Sequence, residues 1–152
     1  MRDMSRLFRL HHVAAGALTV LTACTPLVEM PAASADGPRI SHLEFEPPES
    51  VVGCTVILRF QFETKSADIT GGRVRWSVAM GRRPTADSLT LDPELFQGQT
   101  SGQVILALRL RKVGHYHYLV QVEDSAGRRS NVLEQDLTAE VSWAPGVIPC
   151  SP

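Results

Sequence analysis

Residues 114–127 read GHYHYLVQVEDSAG, and this stretch decides the fold. Its side chains alternate in character with a period of two, which is the period of a β-strand. One face carries two tyrosines and two valines, and the other face is mostly polar. The last four residues, DSAG, suit a tight turn because glycine adopts a positive φ without strain. The stretch therefore predicts a strand with one dry face, closed by a turn.

The same alternation recurs along the rest of the chain. Apolar side chains occupy every second position in residues 54–63, 73–80 and 104–111. Leu133, Leu137, Ala139 and Val141 indicate a last long strand, and an opening strand is expected near residues 40–46. Because charged residues stand between them, each strand is expected to have one buried and one wet face. Six or seven short strands of this kind, mostly antiparallel, predict an all-β protein in which two sheets pack face to face.

Residues 81–99 interrupt the alternating pattern. This segment contains Pro84 and Pro93 and is long for a connection between strands. It predicts a short edge strand near residues 88–91 and one helical turn near residues 93–96. The alternative is a variable binding loop.

The strand pattern resembles that of immunoglobulin-like modules. In those modules a Gly-x-Tyr run leads into alternating valines and a turn, as in residues 114–127. Cys54 on an early strand, followed by Trp76, adds to the resemblance, which covers residues 39–142. It implies an immunoglobulin-like antiparallel β-sandwich of about seven strands with Trp76 in the core. Tyr116 would hydrogen-bond the backbone as a tyrosine corner. The strand at residues 118–122 lacks the second cysteine of antibody-type domains, so a generic bacterial immunoglobulin-like fold is implied.

The N-terminus has the features of a secretion signal. Three arginines precede an apolar run that extends over residues 10–23 and ends in small residues. The run is too short to span a bilayer, which takes about 20 residues. Residues 21–24, Leu-Thr-Ala-Cys, resemble the lipobox of bacterial lipoproteins. The resemblance implies cleavage before Cys24 and attachment of two or three acyl chains there, which anchor a protein stably.

Three parts of the chain follow from this assignment. Residues 1–23 are expected to be a lipoprotein signal peptide. Residues 24–38, rich in proline and small residues, are expected to be the lipidated cysteine and a flexible tether. Residues 39–152 are expected to form the sandwich and a C-terminal tail. Thr25 stands where aspartate favours inner-membrane retention in enterobacterial lipoproteins, so the outer membrane is favoured.

Composition limits the function of the mature part. Residues 24–152 carry 12 basic and 15 acidic side chains, which gives no electrostatic case for nucleic-acid binding. Cys54 and Cys150 remain after lipidation of Cys24, and an oxidising compartment favours a disulfide between them. Closing so long a loop stabilises a fold by roughly 4 kcal/mol on the chain-entropy model. The alternative is two free buried thiols.

Two groups of residues could hold a metal ion. His115 and His117 share one strand face, and His42 could be a third ligand for zinc or copper. The alternative is a set of surface histidines. The second group consists of carboxylates in the long segment, which could bind calcium or form an acid–base pair: Asp87, Asp92 and Glu94. Here the alternative is solvated loop charge, with Asp92 capping a helical turn. We expect neither a metal nor a cofactor.

Other residues invite functional interpretations of lower specificity. A basic stripe for acidic polysaccharide or lipid headgroups could form from Arg73, Arg75, Arg82, Arg83, Arg128 and Arg129. More often such arginines keep a sheet soluble and block edge pairing. Ser125 lies in a turn and lacks a Gly-x-Ser-x-Gly context. Trp143 and Phe96 are the aromatic residues that could stack on a sugar, because Trp76, Tyr116 and Tyr118 face inward by parity.

The sequence thus predicts a non-enzymatic, lipid-anchored envelope protein. Neither a nucleophile–base pair nor a cofactor loop is recognisable. We expect the domain to bind another envelope protein through an exposed edge strand or through residues 81–99. A carbohydrate-binding module on cell-surface glycan and a passive structural spacer are the alternatives.

Overall fold

A computed structural model describes residues 29–65, 69–81, 83–141 and 150. The predicted signal peptide, Cys24, Arg82 and Trp143 lie outside the described residues. Within the described part of the chain, no helix has the length and apolar character needed to cross a bilayer.

The described residues form eight strands and one short helix. In chain order these are β1 Arg39–Glu46, β2 Glu49–Val51, β3 Thr55–Glu63, β4 Arg73–Met80, β5 Arg83–Thr90, α1 Pro93–Phe96, β6 Ser101–Arg109, β7 Gly114–Glu123 and β8 Leu133–Glu140. One sheet has the order β1-β3-β6, and the other has the order β2-β8-β7-β4-β5. β2 runs parallel to β8, and the other pairs are antiparallel. The predicted all-β, immunoglobulin-like sandwich is confirmed.

The core lies between the inner faces of the two sheets, as the alternation predicts. Fully buried side chains come from β3, β4, β6 and β7 and include Val56, Leu58, Phe60, Val74, Val104, Val120 and Val122. Burying a side chain of this size stabilises the fold by about 1.5–3 kcal/mol. Tyr116 and Tyr118 are also buried on the inner face, in agreement with their parity.

The five-stranded sheet is wider than the three-stranded sheet that covers it. Trp76, predicted to be a core residue, packs against the core but is only half-buried. Its partner on β5 is Asp87, which is exposed although it has inner-face parity. The prediction for Trp76 was therefore right about the face of the sheet on which it lies and wrong about how fully it is buried. The reason is that β5 has no strand of the other sheet above it.

β5 is longer than the edge strand predicted at residues 88–91. It pairs with β4 along its whole length, from Met80↔Arg83 to Arg73↔Thr90. The hairpin turns at Gly81, whose φ of 66° favours glycine. A strand with little cover on its inner face needs no apolar alternation, which is why the pattern missed it. The predicted helical turn is confirmed as α1.

The end of the predicted tether is part of the domain. The Ser34 amide donates to the carbonyl of Arg129 at 2.9 Å, and the Ser34 hydroxyl accepts from the Arg129 amide at 3.0 Å. The Gln121 side-chain amide donates to the carbonyl of Pro31 at 2.8 Å. At Gly37 a Cβ atom would lie 2.2 Å from the Arg129 carbonyl oxygen. Residues of the predicted tether therefore pack against the domain, because extended backbone with small side chains can pair with it.

The structure joins Cys54 to Cys150 in a disulfide bond, with the Cα atoms 5.1 Å apart. Cys54 immediately precedes β3, and Gly53 donates to the carbonyl of Leu110 at 2.8 Å. The disulfide therefore lies at the end of the sandwich where β6 leads into β7. The predicted pairing of the two cysteines is confirmed.

Candidate functional site

One side of the sandwich is open, since both sheets end there in an unpaired edge strand. β5 ends the five-stranded sheet and β6 ends the three-stranded sheet. A depression of about 530 Å³ is lined by residues of both strands and of the segment between them. Its lining includes Leu89 on β5, Leu106 on β6 and Phe96 on α1. The two edges and this depression form the candidate site.

Three exposed apolar side chains surround the depression, and we name them the edge patch: Leu89, Leu95 and Ile105. They are 46%, 65% and 60% exposed. Phe96 supports the patch from below, with its ring 6.0 Å from that of the buried Phe62. Single exposed apolar residues are ordinary, whereas these three line one depression.

β6 lacks the devices that usually protect an edge strand. Its sequence, SGQVILALR, contains no proline, and its one charged residue is Arg109 at the end. β5, by contrast, carries Pro84 near its start. Unprotected edge backbone offers N–H and C=O groups to a further strand. The β6 edge is therefore competent to extend its sheet.

Contacts with neighbouring backbone amides account for two of the predicted acidic site residues, Asp92 at the start of α1 and Asp87 on β5. The Asp92 carboxylate accepts from the Glu94 amide at 2.9 Å, which is the predicted helix cap. Asp87 accepts from the Ser88 amide at 2.7 Å. The two aspartates thus serve local backbone.

The histidines lie on the outer surface. His115 contacts the Thr138 hydroxyl at 3.1 Å, and His117 contacts the Asp136 carboxylate at 2.8 Å. His42 belongs to the other sheet, where it lies in the irregular part of β1 with a φ of 55°. No three His, Cys, Asp or Glu side chains of the described residues are arranged to hold a metal ion.

Three arginines of the predicted basic stripe, Arg75, Arg128 and Arg129, are paired with acids. Glu123 lies 3.1 Å from Arg75 and 3.3 Å from Arg129. Arg128 pairs at 2.8 Å with Asp124, which is almost completely buried. These pairs form because two acids, at the end of β7 and directly after it, lie beside the arginines, so the charges of these three side chains are neutralised.

Asp124 also organises the turn that contains Ser125. Its carboxylate accepts from the amides of Ala126 at 3.0 Å and Arg128 at 2.9 Å. The sequence marked this turn through its glycine, whose φ is 78° at Gly127. The role of Asp124 was not predicted from the sequence, although aspartate is common at the first residue of a turn.

Two stacked tyrosines lie on the inner face of β7. The hydroxyl of Tyr116 donates to the carbonyl of Lys112 at 2.5 Å, which confirms the predicted tyrosine corner. The ring of Tyr118 is centred 6.3 Å from that of Tyr116. Burial, with a smaller effect of Tyr116, raises the pKa of Tyr118 to about 12. The Tyr118 hydroxyl therefore remains protonated at neutral pH.

Comparison with known proteins identifies the fold and no family. No family model and no curated protein matches the chain. A Niemann-Pick type C2 protein from the Japanese carpenter ant matches with a TM-score of 0.52 and 8% identity, over 70% of this chain and 96% of that one. A PKD domain of an M14-like peptidase from a Thermoplasmatales archaeon has a TM-score of 0.43 and 19% identity, over 68% of this chain and 96% of that one.

The chain also matches one part of a larger enzyme. An alkylpurine DNA glycosylase from Pseudomonas fluorescens, bound to DNA containing an abasic site analog, has a TM-score of 0.48 and 18% identity. The match covers 68% of this chain but only 31% of the glycosylase. At such identities the similarity concerns the sandwich alone, and function must be argued from the site.

Proposed function

We propose that this chain is a lipid-anchored protein of the bacterial cell envelope whose domain binds an extended segment of another envelope protein. The observation that carries the proposal is the unprotected β6 edge beside the edge patch. The partner segment adds to β6 as a fourth strand of the smaller sheet, and the domain acts by binding, without catalysis.

Strand addition uses two sources of binding free energy. Hydrogen bonds between main chains fix the partner's direction and register, while alternate side chains of the partner enter pockets. Apolar side chains at every second position would reach the depression beside Leu89 and Leu106. Burial of each large apolar side chain contributes about 1.5–3 kcal/mol. The partner is thus an extended segment with alternating apolar residues.

The anchor in this proposal is Cys24. Its support is the lipobox resemblance of residues 21–24, together with the basic and apolar leader before it. Two acyl chains hold a protein on a membrane stably. The absence of aspartate at position 25 favours the outer membrane.

The described aromatic residues favour a protein partner over a glycan. Sugar platforms need an exposed aromatic face, but Phe96 is half-buried beneath the edge patch and Trp76 is half-buried on the inner face. The large exposed apolar side chains of the described residues are aliphatic. Aliphatic side chains suit apolar residues of a peptide better than the faces of a sugar ring.

The test is site-specific photocrosslinking in cells that produce the full chain. A photoreactive amino acid replaces Ile105 in one strain and Val113 in a control strain. Val113 is also exposed and apolar, at 52%, but lies outside the edge patch. We expect one dominant envelope protein from position 105, with the crosslink mapped to an extended segment, and loss of the adduct in Cys24→Ala.

A charge on the edge provides the second arm. Ile105→Lys should abolish capture of that protein while leaving the melting temperature unchanged, because its side chain is mostly exposed; Val113→Lys is the matched control. Equal adducts at positions 105 and 113, or capture unaffected by Ile105→Lys, would reject the edge as the site. Adducts with glycan alone would support the carbohydrate alternative, and none would support a passive spacer.

A further inference from the structure

A second cavity, of about 940 Å³, opens where the inner faces of β4 and β5 meet the connection from β6 to β7. Its apolar lining comprises Val78 and Met80 on β4, Leu110 on the connection and the two tyrosines of β7. The cavity exists because the wider sheet extends beyond the narrower one. Its size lies within the range of roughly 300–1,000 Å³ found for small-molecule sites.

The rim of this cavity is cationic. Arg109, Arg111 and Lys112 contribute to the lining, against one carboxylate, that of Asp87. Arg109 donates to the carbonyl of Gly53 at 2.9 Å, while Arg111 and Lys112 extend exposed side chains. Acidic residues outnumber basic ones in residues 24–152, so three neighbouring cations do not reflect the average composition.

Tyr118 places an unused polar group in the same wall. The residue is only 5% exposed, and its hydroxyl has no hydrogen-bond partner in the described parts of the chain, so this group is open to the cavity that it lines. The neighbouring Tyr116 hydroxyl is occupied by the backbone of Lys112, which places both rings at the cationic rim. The Tyr118 hydroxyl is therefore a donor that a ligand in the cavity can use.

We propose that this cavity binds a fatty acid, with the acyl chain on the β4 surface and the carboxylate at the rim. Arg111 and Lys112 would attract the carboxylate, and the Tyr118 hydroxyl would donate a hydrogen bond to it. Charge-assisted hydrogen bonds of this kind are about twice as strong as neutral ones. The site is separate from the β6 edge and does not depend on the strand-addition proposal.

The test measures binding of radiolabelled decanoate by equilibrium dialysis. The full chain is held in phosphatidylcholine nanodiscs, with empty nanodiscs of the same composition as the background. We expect saturable binding at one site, and at least tenfold weaker competition by decanol, which has the chain without the charge. Acetate, which has the charge without the chain, should not compete.

Two variants test the named contacts. Removing both free cations, in Arg111→Gln with Lys112→Gln, should weaken decanoate binding about tenfold and leave decanol competition unchanged. Tyr118→Phe should weaken it about threefold or more. The control Lys65→Gln removes an exposed cation elsewhere and should bind as the unaltered chain does.

Three results would overturn the proposal: no saturable binding above empty nanodiscs, equal competition by decanol and decanoate, or full affinity in the double variant. Melting temperatures of all variants distinguish lost binding from lost folding. Since Arg111 and Lys112 are exposed, their substitution should leave the melting temperature unchanged.

Discussion

The hydroxyl of Tyr116 bonds to both polar backbone groups of Lys112: it donates to the carbonyl at 2.5 Å and accepts from the amide at 3.2 Å. These two hydrogen bonds fix the connection between β6 and β7 against the start of β7, on its inner face. Tyr118, two residues later, has a stacked ring but no hydrogen-bond partner among the described residues. The two tyrosines therefore differ mainly in what their hydroxyl groups do.

Tyr116→Phe should lower the free energy of unfolding by about 1–3 kcal/mol, because it removes the partner of two partly buried backbone groups of Lys112. Tyr118→Phe is the matched control and should change it by less than about 0.5 kcal/mol. Urea denaturation of the full chain measures both. Equal effects of the two substitutions would contradict the assigned role of the corner.

Stability should fall in alkaline solution through Tyr118. Burial raises its pKa from 10.0 to about 12 in the folded chain. Between these values the unfolded chain loses the proton more readily than the folded one. The contribution of Tyr118 to the free energy of unfolding is therefore complete below pH 10 and is lost as the pH rises to about 12. Denaturation at a series of pH values should show a smaller alkaline decline in Tyr118→Phe. An unchanged decline would reject this origin.

Removal of the disulfide should cost much of the fold's stability. On the chain-entropy model a bridge between residues 96 apart contributes roughly 4 kcal/mol. Cys54→Ala combined with Cys150→Ala should lower the free energy of unfolding by about that amount, and reduction of the unaltered chain should match it. Peptide mapping without reductant checks the pairing. Two free thiols in the purified, unreduced protein would contradict it.

Gly37→Ala should release residues 31–38 from the domain. A Cβ atom at this position would overlap the Arg129 carbonyl oxygen, which is backbone and cannot move aside. Hydrogen exchange should show lost protection at two amides. The Ser34 amide donates to the Arg129 carbonyl, and the Arg129 amide donates to the Ser34 hydroxyl. Asp36→Ala, at an exposed neighbouring position, is the control. Unchanged exchange in Gly37→Ala would show that the segment is held in another way.

The strand pattern predicts the central part of this fold because its physical cause is local. In β3 and β7 successive side chains point to opposite faces, so a covered face must be apolar whatever its partner is. Phe60 and Val120 follow this rule and are completely buried. The tyrosine corner was also predictable, since it depends on residues only four apart.

The parts that the sequence did not predict depend on contacts between distant segments. β5 has no covering strand, so its alternation is weak, and Trp76 beside it is exposed in part for the same reason. The arginines look like a basic stripe until β7 brings Glu123 beside Arg75. The edge patch joins β5, α1 and β6, and its three members share no sequence motif.

The docking of residues 31–38 against the domain shortens the linker that could join it to a lipid anchor. If Cys24 carries the lipid, seven residue steps separate it from Pro31, and they reach at most about 25 Å. β7, with 10 residues, alone extends over about 33 Å. A domain whose linker is shorter than the domain itself can reach only a shallow layer above the bilayer. Its partners would have to come within that layer, so small changes in the number of residues before Pro31 should tune which of them it meets.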